Sequence, residues 1–437
     1  MDLDTESLAL EATRVLHAND RGGYTVPTAG LYPFQWNWDS CFTALGLSHS
    51  HLDRAWREVE TLFAHQWEDG MVPHMVFHEP SPGYFPGPEV WGTGRAVPTS
   101  GITQLPVAGF VVLELYRRSA GLPGLVERAR ALLGGLHRWH TWFFAARDQR
   151  GEGTVAILHP WESRDDSVDW DAALARVPAD VPEPYVRNDT KHADPAERPT
   201  QAQYDRYLWL VQRFRALGWD PAILHDASPF RVVDPGFNAI LVRSCLDTAE
   251  LATELGESSI AEEQRRWAQN GLAALEDLWS DARGQYLCRD RVSGKLVDSP
   301  SIGGLLPVLA PIPEDRASRI AATIRAQAER VRYLVPSHDP RDGRFDARRY
   351  WRGPVWSVCN FLIASGLRAA GHDDLADRIA RDCLKLVARS GFAEYYHPAD
   401  GAPLGGRRFS WAAAIVLELL AAPAVSVPAV PSPRGVA

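Results

Sequence analysis

The feature that most constrains this chain is an apolar residue at every third or fourth position, a spacing that recurs along nearly its whole length. Side chains at i, i+3 and i+4 share one face of a helix, so each such segment predicts a helix that buries that face. Asp4, the Pro313–Glu314 pair and Gly371 stand where helix starts and stops are expected. The predicted helices lie near residues 4–18, 40–48, 52–67, 105–120, 124–146, 200–217, 236–254, 258–279, 300–310, 314–330, 355–370, 373–389 and 410–421.

Strand signals are weak by comparison. The best two, Thr154–Leu158 and Gln285–Asp290, are short and predict minor β-hairpins within loops. No repeat of fixed period is visible, which argues against a solenoid. Paired helices with long connections instead favour an all-α toroid, in which alternate helices form an inner ring and the loops build a site at one end.

Two connections, residues 69–104 and 159–199, are long and rich in Pro, Gly and Trp. Loops of this length inside a compact domain are usually functional. We therefore expect one catalytic domain over residues 1–422 with these two segments as loop insertions. The Pro- and Ala-rich residues 423–437 predict a flexible C-terminal tail.

Charge and cysteine content exclude several classes of protein. The net charge is -9 with no basic run, which disfavours nucleic acid and anionic membranes as partners. The acidic start lacks the features of a signal peptide and predicts a cytoplasmic protein, with no membrane-spanning stretch. The five cysteines are scattered and never spaced C-x-x-C, so neither a disulfide framework nor a thiolate zinc site is expected.

The 16 tryptophans exceed what packing alone requires, and two of them form a local pattern with an acidic residue. After Tyr32, Trp36 and Trp38 precede Asp39 at the start of a predicted helix. Indole faces stack on the C–H faces of sugar rings, and a buried carboxylate binds sugar hydroxyls. Alternatively, Asp39 is only a helix N-cap beside two core tryptophans.

The loop of residues 69–104 contributes two more candidates. Tyr84 lies in a rigid aromatic stretch, and Gln104 stands just before a helix, where its amide could bind a hydroxyl. A purely structural loop fits the same composition equally well.

An acidic stretch, His159–Asp171, holds five carboxylates and two tryptophans within thirteen residues. Like charges this close raise at least one pKa, and a general acid needs a raised pKa to be protonated near neutrality. Trp161 and Glu162 open the stretch, and Asp165 and Asp166 follow. A solvated loop is the plainer interpretation, and a calcium loop is another, although the spacing is not that of an EF-hand.

Three further clusters could carry chemistry. Arg187 lies in a polar stretch and could pair with a small anionic group, or could only join loop to helix by salt bridges. Tyr350–Trp356 is an aromatic turn that opens a helix. Glu394 follows a helix end among aromatic residues, a setting suited to a water-activating base, although a lone Glu is more often on the surface.

Together, in order, these motifs resemble glycoside hydrolase family 63. The resemblance covers the chain from about residue 15 to residue 420 and implies an (α/α)6 toroid, inverting hydrolysis and no cofactor or metal. The single-domain length is similar to that of the bacterial glucosylglycerate and mannosylglycerate hydrolases. The motifs that carry it are Trp36-x-Trp38-Asp39, Thr99–Gln104, Trp161-Glu162-Ser163, Tyr204–Tyr207, Tyr350–Trp356 and Phe392–Tyr396.

The resemblance also implies roles for individual residues. Glu394 falls where the family keeps its general base, and Asp165 where it keeps its general acid. Asp166 competes for the acid role because this loop is one residue shorter than the family pattern Glu-Ser-Gly-x-Asp-Asn-Ser-Pro. The implied substrate-binding residues are Tyr32, Trp36, Trp38, Asp39, Trp161, Glu162, Trp351 and Trp356, with Tyr84, Gln104, Arg187 and Tyr204 around the glycerate side.

The expected function is release of glucose from a small α-glucoside, glucosylglycerate first, in the metabolism of compatible solutes. Mannosylglycerate and an oligosaccharide end are the alternative substrates, and a homo-oligomer is compatible with the sequence. A sugar epimerase on the same toroid would use paired histidines, for which His65, His74, His159 and His192 are available. A non-catalytic sugar-binding protein is the other alternative, although both carboxylate positions are filled.

Overall fold

The computed structural model describes residues 4–181, 184–191 and 193–421, and this part of the chain is mostly α-helical. The α-helices are α1 (Thr5–Asn19), α2 (Asn37–Leu47), α3 (Leu52–Phe63), α4 (Pro88–Trp91), α5 (Ala108–Arg118), α6 (Leu125–Arg147), α7 (Asp171–Leu174), α8 (Gln201–Ala216), α9 (Pro221–Ala227), α10 (Pro235–Glu254), α11 (Ser258–Leu275), α12 (Glu314–Gln327), α13 (Ser357–Ala369), α14 (Asp373–Ser390) and α15 (Ser410–Ala421). Short 3-10 helices cover Pro160–Glu162, Val168–Trp170, Asp189–Lys191, Pro195–Glu197, Glu276–Leu278, Ile302–Gly304 and Leu306–Leu309.

The strands are short and pair antiparallel in four two-stranded ladders within the described ranges. They are β1 (Gln35–Trp36) with β2 (Met75–Val76), β3 (Val232–Val233) with β6 (Arg289–Asp290), β4 (Trp279–Ser280) with β5 (Gln285–Tyr286), and β7 (Ala393–Tyr396) with β8 (Pro403–Arg407). These ladders lie in the connections between helices.

Five helices and one 3-10 segment contact one another in a closed order. α2 packs on α5, α5 on α10, α10 on Leu306–Leu309, that segment on α13, α13 on α15, and α15 on α2. Every residue of α2 is buried, as expected of a helix surrounded on all sides. A Cβ on Gly46 would lie 2.6 Å from the Cα of Ala414, so this glycine permits the close contact of α2 and α15.

A second set of helices covers this inner set from outside. α3 packs on α2 and α5, α6 on α5, α11 on α10, α14 on α13, and α1 on α15. In α3 the buried residues Ala55, Trp56, Val59 and Leu62 follow helical spacing, so a single face meets the inner helices. The arrangement is compatible with a helical toroid.

The first and last described segments meet at one end of this arrangement. The Asn19 side-chain amide donates to the carbonyl of Arg408 at 2.8 Å. The backbone N–H of Ser410 donates to the carbonyl of Pro27 at 2.8 Å. The hydroxyl of Thr28 donates to the carbonyl of Arg407 at 2.6 Å. The loop after α1 is therefore held directly against β8 and the start of α15.

Most predicted helices are confirmed, including the Asp4 cap, whose carboxylate accepts from the N–H of Ser7 at 3.0 Å. The prediction for residues 300–310 is wrong: Pro307 and two adjacent glycines leave only two 3-10 turns. Thr154–Leu158 is not a strand and contributes a single bridge from Ile157 to Val232. Gln285–Asp290 divides between β5 and β6.

The predicted tail, residues 423–437, and His192 lie outside the described residues. Within the described ranges, none of the helices combines the length and apolar character needed to span a membrane.

Candidate active site

A cavity opens where the inner helices α2, α13 and α15 begin, beside the loop that precedes α5. It brings together side chains that are far apart in the sequence. Of the predicted site residues, those that line it are Tyr32, Trp36, Trp38, Asp39, Tyr84, Gln104, Trp161, Asp165, Tyr204, Trp351, Trp356 and Glu394. Three do not: Glu162, Asp166 and Arg187.

Glu394 lies on β7, just after α14, and its side chain is 1% exposed. Oε2 accepts the backbone N–H of Gly406 at 2.8 Å. Oε1 faces three longer contacts, from the hydroxyls of Tyr32 at 3.1 Å and Tyr350 at 3.4 Å and from Nη1 of Arg198 at 3.4 Å. The carboxylate is thus fixed through one oxygen and turns the other toward the cavity.

The β7–β8 hairpin is shaped to receive this carboxylate. Gly405 has φ +64, and a Cβ there would lie 2.5 Å from Oε2 of Glu394. A side chain at Gly405 would therefore be strained and would also collide with the carboxylate. From α15, the indole of Trp411 donates to the Glu394 carbonyl at 3.2 Å, which fixes the strand from the other side.

Asp165 faces the same cavity in a different environment. Burial raises the pKa of its carboxyl group well above the usual range, and the nearby carboxylates of Asp166 and Glu394 act in the same direction, against the opposing charge of Arg198. Its backbone is held by the Tyr207 hydroxyl, which donates to the Asp165 carbonyl at 2.7 Å. The Asp165 carboxyl group itself accepts no hydrogen bond from a side chain of the described residues.

Asp166 points away from the cavity. Its carboxylate is fully buried and accepts the N–H of Trp351 at 3.0 Å and Nε of Arg349 at 3.0 Å. The side chain is thus held against the 349–352 segment rather than open to a ligand. Of the two candidate acids, Asp165 is the one placed in the cavity.

Glu162 was expected to bind substrate, and the structure corrects this. Its side chain is 1% exposed and pairs with Arg147 at 2.7 Å. It also accepts the backbone N–H groups of Leu158 at 2.7 Å and His159 at 3.3 Å. All of its acceptor capacity is used within the protein, so Glu162 shapes the loop that carries Asp165.

Arg187 was expected on the aglycone side, and it too lies outside the cavity lining. Its guanidinium pairs with both oxygens of Asp189, at 3.0 and 2.6 Å, and donates to the Pro199 carbonyl at 2.7 Å. It also covers the ring of Tyr204, 4.4 Å from its centroid. The position of Arg187 therefore agrees with the interpretation that it forms structural salt bridges.

The cation in the cavity is Arg198, which the sequence analysis did not single out. It is 5% exposed and donates to Asp189 at 3.3 Å, to the Tyr32 hydroxyl at 2.7 Å and to Glu394 at 3.4 Å. Its guanidinium also lies 4.1 Å from the centroid of the Tyr350 ring. Arg198 therefore connects Glu394 to the loop that carries Asp189.

Aromatic rings form the walls. Trp351 stacks on Trp356 with centroids 3.7 Å apart, and Trp356 stacks on Tyr395 at 4.6 Å. Trp38 meets Trp411 edge to face at 5.6 Å. Such flat, rigid surfaces suit the apolar faces of a sugar ring.

Asp39 supplies a polar group among these rings. α2 begins at Asn37 and its N-cap is Trp36, so the interpretation of Asp39 as an N-cap is wrong. Burial, reinforced by the Glu394 carboxylate, raises the pKa of Asp39 well above the usual range. The amide oxygen of Gln104 accepts the backbone N–H of Trp38 at 3.2 Å, which joins the start of α2 to the loop before α5.

Comparison with known proteins now identifies the family. The model of the mannosylglycerate hydrolase MGH1-like glycoside hydrolase domain matches residues 32–412. The chain belongs to glycoside hydrolase family 63.

Relatives of the hydrolase agree with this assignment. It is 46% identical to the mannosylglycerate hydrolase of Thermus thermophilus over 93% of this chain and 99% of that protein. The family 63 mannosylglycerate hydrolase of that organism, solved with Tris and D-glycerate, superimposes with a TM-score of 0.91 over 94% and 99% of the two chains. The glucosylglycerate hydrolase of Mycolicibacterium hassiacum is 34% identical over 94% and 97%.

Of the four histidines named for an epimerase, the three among the described residues do not line the cavity together. His74 lines the cavity, whereas His65 and His159 do not. Burial lowers the pKa of His74 and of His159 to about 3, so both imidazoles are neutral. Nδ1 of His159 accepts the N–H of Trp161 at 3.0 Å and thereby positions a wall of the cavity.

Several lining residues were not predicted, and their sequence signals were faint. Arg198 follows the polar stretch that contains Arg187, and the role toward a small anionic group was predicted for Arg187 instead. Tyr350 belonged to a recognised motif without an assigned role. Trp411 and Phe409 carried no signal beyond the high aromatic content, since their place in the cavity depends on how α15 packs.

Proposed function

We propose that this hydrolase cleaves mannosylglycerate to mannose and glycerate with inversion, Asp165 acting as the general acid and Glu394 as the general base. The observation that carries the proposal is the unequal setting of two carboxyl groups in one cavity. Asp165 receives no side-chain hydrogen bond among the described residues and burial raises its pKa, whereas Glu394 is held by N–H and O–H donors. Two carboxyl groups in such different environments can serve as a general acid and a general base, respectively.

In the proposed reaction, the protonated carboxyl of Asp165 gives its proton to the glycosidic oxygen as the bond to the anomeric carbon breaks. Water attacks that carbon from the opposite face while Glu394 accepts its proton. Oε1 of Glu394 suits this role because its contacts, at 3.1–3.4 Å, are long for charge-assisted bonds. A water among the hydroxyls of Tyr32 and Tyr350 would find both an acceptor and orienting partners.

The aromatic walls and Asp39 would form the sugar subsite. The stacked pair Trp351–Trp356 offers a flat face, and Asp39 offers an acceptor or, when protonated, a donor to ring hydroxyls. Carboxylates around the sugar also stabilise the positive charge that develops on an oxocarbenium-like ring. The closed packing order of the inner helices supports an (α/α)6 toroid as the scaffold.

Arg198 is the side chain we assign to the negative charge of the glycerate moiety. Among the lining residues it is the one Arg or Lys, whereas Arg187 is committed to Asp189 and Pro199. Arg187 would then act indirectly, because it holds Asp189, which in turn contacts Arg198 at 3.3 Å.

We propose mannosylglycerate as the substrate, ahead of the expected glucosylglycerate, because relatives named mannosylglycerate hydrolase are 46% identical to this chain. The M. hassiacum relative, at 34%, keeps glucosylglycerate as the second candidate. The two sugars differ in the orientation of one hydroxyl, so a few contacts in the sugar subsite decide between them.

The test is turnover of mannosylglycerate, glucosylglycerate and the uncharged methyl α-mannoside by the purified protein, with the product anomer followed by NMR. We expect the highest kcat/KM for mannosylglycerate and β-mannose as the first product. Initial release of α-mannose would contradict inversion, and equal kcat/KM for methyl α-mannoside would contradict recognition of the glycerate charge.

A pair of variants tests the charge assignment. Arg198→Met should raise KM for mannosylglycerate far more than KM for methyl α-mannoside. Arg187→Met is the matched control, and we expect a smaller rise in KM. A larger rise in KM for Arg187→Met than for Arg198→Met would instead assign recognition of the glycerate charge to Arg187.

A further inference from the structure

Asp166 is buried beside the candidate acid, and its hydrogen bonds all lead to one segment that is far away in the sequence, residues 349–352. Oδ1 accepts the N–H of Trp351 at 3.0 Å, and Oδ2 accepts Nε of Arg349 at 3.0 Å. The backbone carbonyl of Asp166 accepts Nε of Arg352 at 2.8 Å. Three donors from residues 349–352 thus converge on the residue that follows Asp165.

The same short segment also reaches the candidate base. The hydroxyl of Tyr350 lies 3.4 Å from Oε1 of Glu394, and its backbone N–H donates to the Glu197 carbonyl at 3.2 Å. That carbonyl also accepts the hydroxyl of Tyr395, the residue after Glu394, at 2.9 Å. Residues 349–352 are therefore joined both to the loop that carries the acid, directly, and to the strand that carries the base, through Tyr350 and Glu197.

We propose that Asp166 is a positioning residue, which locks the acid loop to residues 349–352 and so sets the separation between the carboxyl groups of Asp165 and Glu394. The proposal rests on the acid and base roles given above. Inverting hydrolysis requires a separation of roughly 6.5–9.5 Å, because a water must fit between the base and the sugar. A shift of about 1 Å in such a geometry lowers the rate by about 100-fold.

The two oxygens of Asp166 have separable roles. An asparagine could keep Oδ1 as the acceptor for Trp351, but its NH₂ group would face the guanidinium of Arg349, donor against donor. Asp166→Asn therefore retains the bond to the backbone and loses the ion pair, whereas Asp166→Ala loses both. Arg349→Gln removes the 3.0 Å ion pair from the other side and leaves both aspartates, and the longer 3.7 Å pair of Asp166 with Arg352, in place.

The experiment compares kcat and KM of these variants on mannosylglycerate and on α-mannosyl fluoride, whose fluoride departs without protonation. We expect Asp166→Ala to lose about 100-fold in kcat with little change in KM, and Asp166→Asn to lose less than about tenfold. Asp171→Ala is the matched control, because Asp171 is exposed and shares Arg352 without contacting Trp351. Its kcat should equal that of the wild type.

Asp165→Asn separates this proposal from the proposed function. Its activity should be lost on mannosylglycerate and retained on the fluoride, and if it is retained on both, the acid assignment itself fails. If instead Asp166→Asn is as inactive as Asp166→Ala and only the fluoride restores activity, Asp166 is the acid and the positioning proposal is overturned. Wild-type kcat in a folded Asp166→Ala would overturn it as well.

Two readouts distinguish positioning from a merely structural role. Should Asp166→Ala fail to fold, Arg349→Gln must still lower kcat at unchanged KM, and wild-type kcat in that variant would count against the proposal. In Asp166→Asn, loss of a negative charge beside Asp165 should move the alkaline limb of the kcat/KM profile to lower pH, and an unmoved limb would contradict the proposal. The other charged or titratable groups that face Asp165 are Arg198, Glu394, Tyr32, Tyr84, Tyr207 and Tyr350, which this variant retains.

Discussion

Glu162→Gln tests whether the buried acid three residues before Asp165 contributes to stability or to substrate binding. In the wild type, Oε1 pairs with Nη2 of Arg147 at 2.7 Å, and Oε2 accepts Nη1 of Arg147 at 3.2 Å and the N–H of Leu158 at 2.7 Å. The glutamine must place its NH₂ group at one of these positions, so a donor faces a donor whichever way the amide turns.

The size of the effect follows from burial. Arg147 and Glu162 are 4% and 1% exposed, so loss of the carboxylate leaves a buried guanidinium without its counter-charge. Removal of one partner from a buried pair costs about 3–5 kcal/mol, and the oxygen that remains keeps the cost near the lower end. Against a total stability of about 5–15 kcal/mol, the loss is large.

Equilibrium unfolding in urea, followed by tryptophan fluorescence, measures the change in the free energy of unfolding. The exposed pair Glu263–Arg266 provides the control, because Glu263→Gln should cost less than about 1 kcal/mol. We expect KM of the folded Glu162→Gln variant to match the wild type, since Glu162 does not line the cavity. Unchanged stability with a raised KM would refute this reasoning.

Three further predictions concern the base, its hairpin and acid stability. Glu394→Gln should lower kcat by about 10²–10⁴-fold while calorimetry still detects binding of mannosylglycerate, because only proton acceptance is lost. Gly405→Ala should lower both kcat and the melting temperature, since its Cβ would lie 2.5 Å from Oε2 of Glu394. Burial alone would raise the pKa of Glu418, but Arg118 and His49 lower it from 4.5 to about 2. Its contribution to stability is therefore present above pH 4.5 and lost as the pH falls toward 2, so urea titrations of wild type and Glu418→Gln should converge over that range.

Each of these has a result that would count against it. Full activity of Glu394→Gln would remove the base assignment. Gly371→Ala controls for positive φ, at +80 with no atom within 4 Å, so equal loss of kcat there would show that collision with Glu394 is irrelevant. A stability gap between wild type and Glu418→Gln that stays constant from pH 7 to pH 3 would show that Glu418 is not the titrating group.

The helices could be predicted because their signal is local. Apolar spacing marks a buried face wherever the partner comes from, and α3 and α14 show it clearly. The helix prediction for residues 300–310 was wrong because these residues are apolar but do not form an α-helix. A Cβ at Gly303 would lie 2.2 Å from the Arg164 guanidinium, so glycine is required there by a neighbour far away in the sequence.

Site residues could be predicted where residues that line the cavity together are also close in the sequence, as the tryptophans around Asp39 are. They could not be predicted where two side chains of the same type compete for one place. Nothing local tells whether Arg187 or Arg198 reaches the cavity, because that depends on the path of the loop and on Asp189, which binds both. Glu162 is similar, since its partner Arg147 comes from the end of another helix, α6.

The contact between the loop after α1 and β8 has a consequence for biosynthesis. Tyr32 lies in that loop and emerges from the ribosome early, whereas Glu394 and Phe409, which its side chain contacts, emerge near the end. A nascent chain folds from its N-terminal side as it is made. For most of translation the loop after α1 therefore lacks β8 and α15, against which it packs in the folded protein. Hydrolytic activity should therefore be absent from ribosome-bound chains until the segment after Glu394 has been synthesised and has joined that loop.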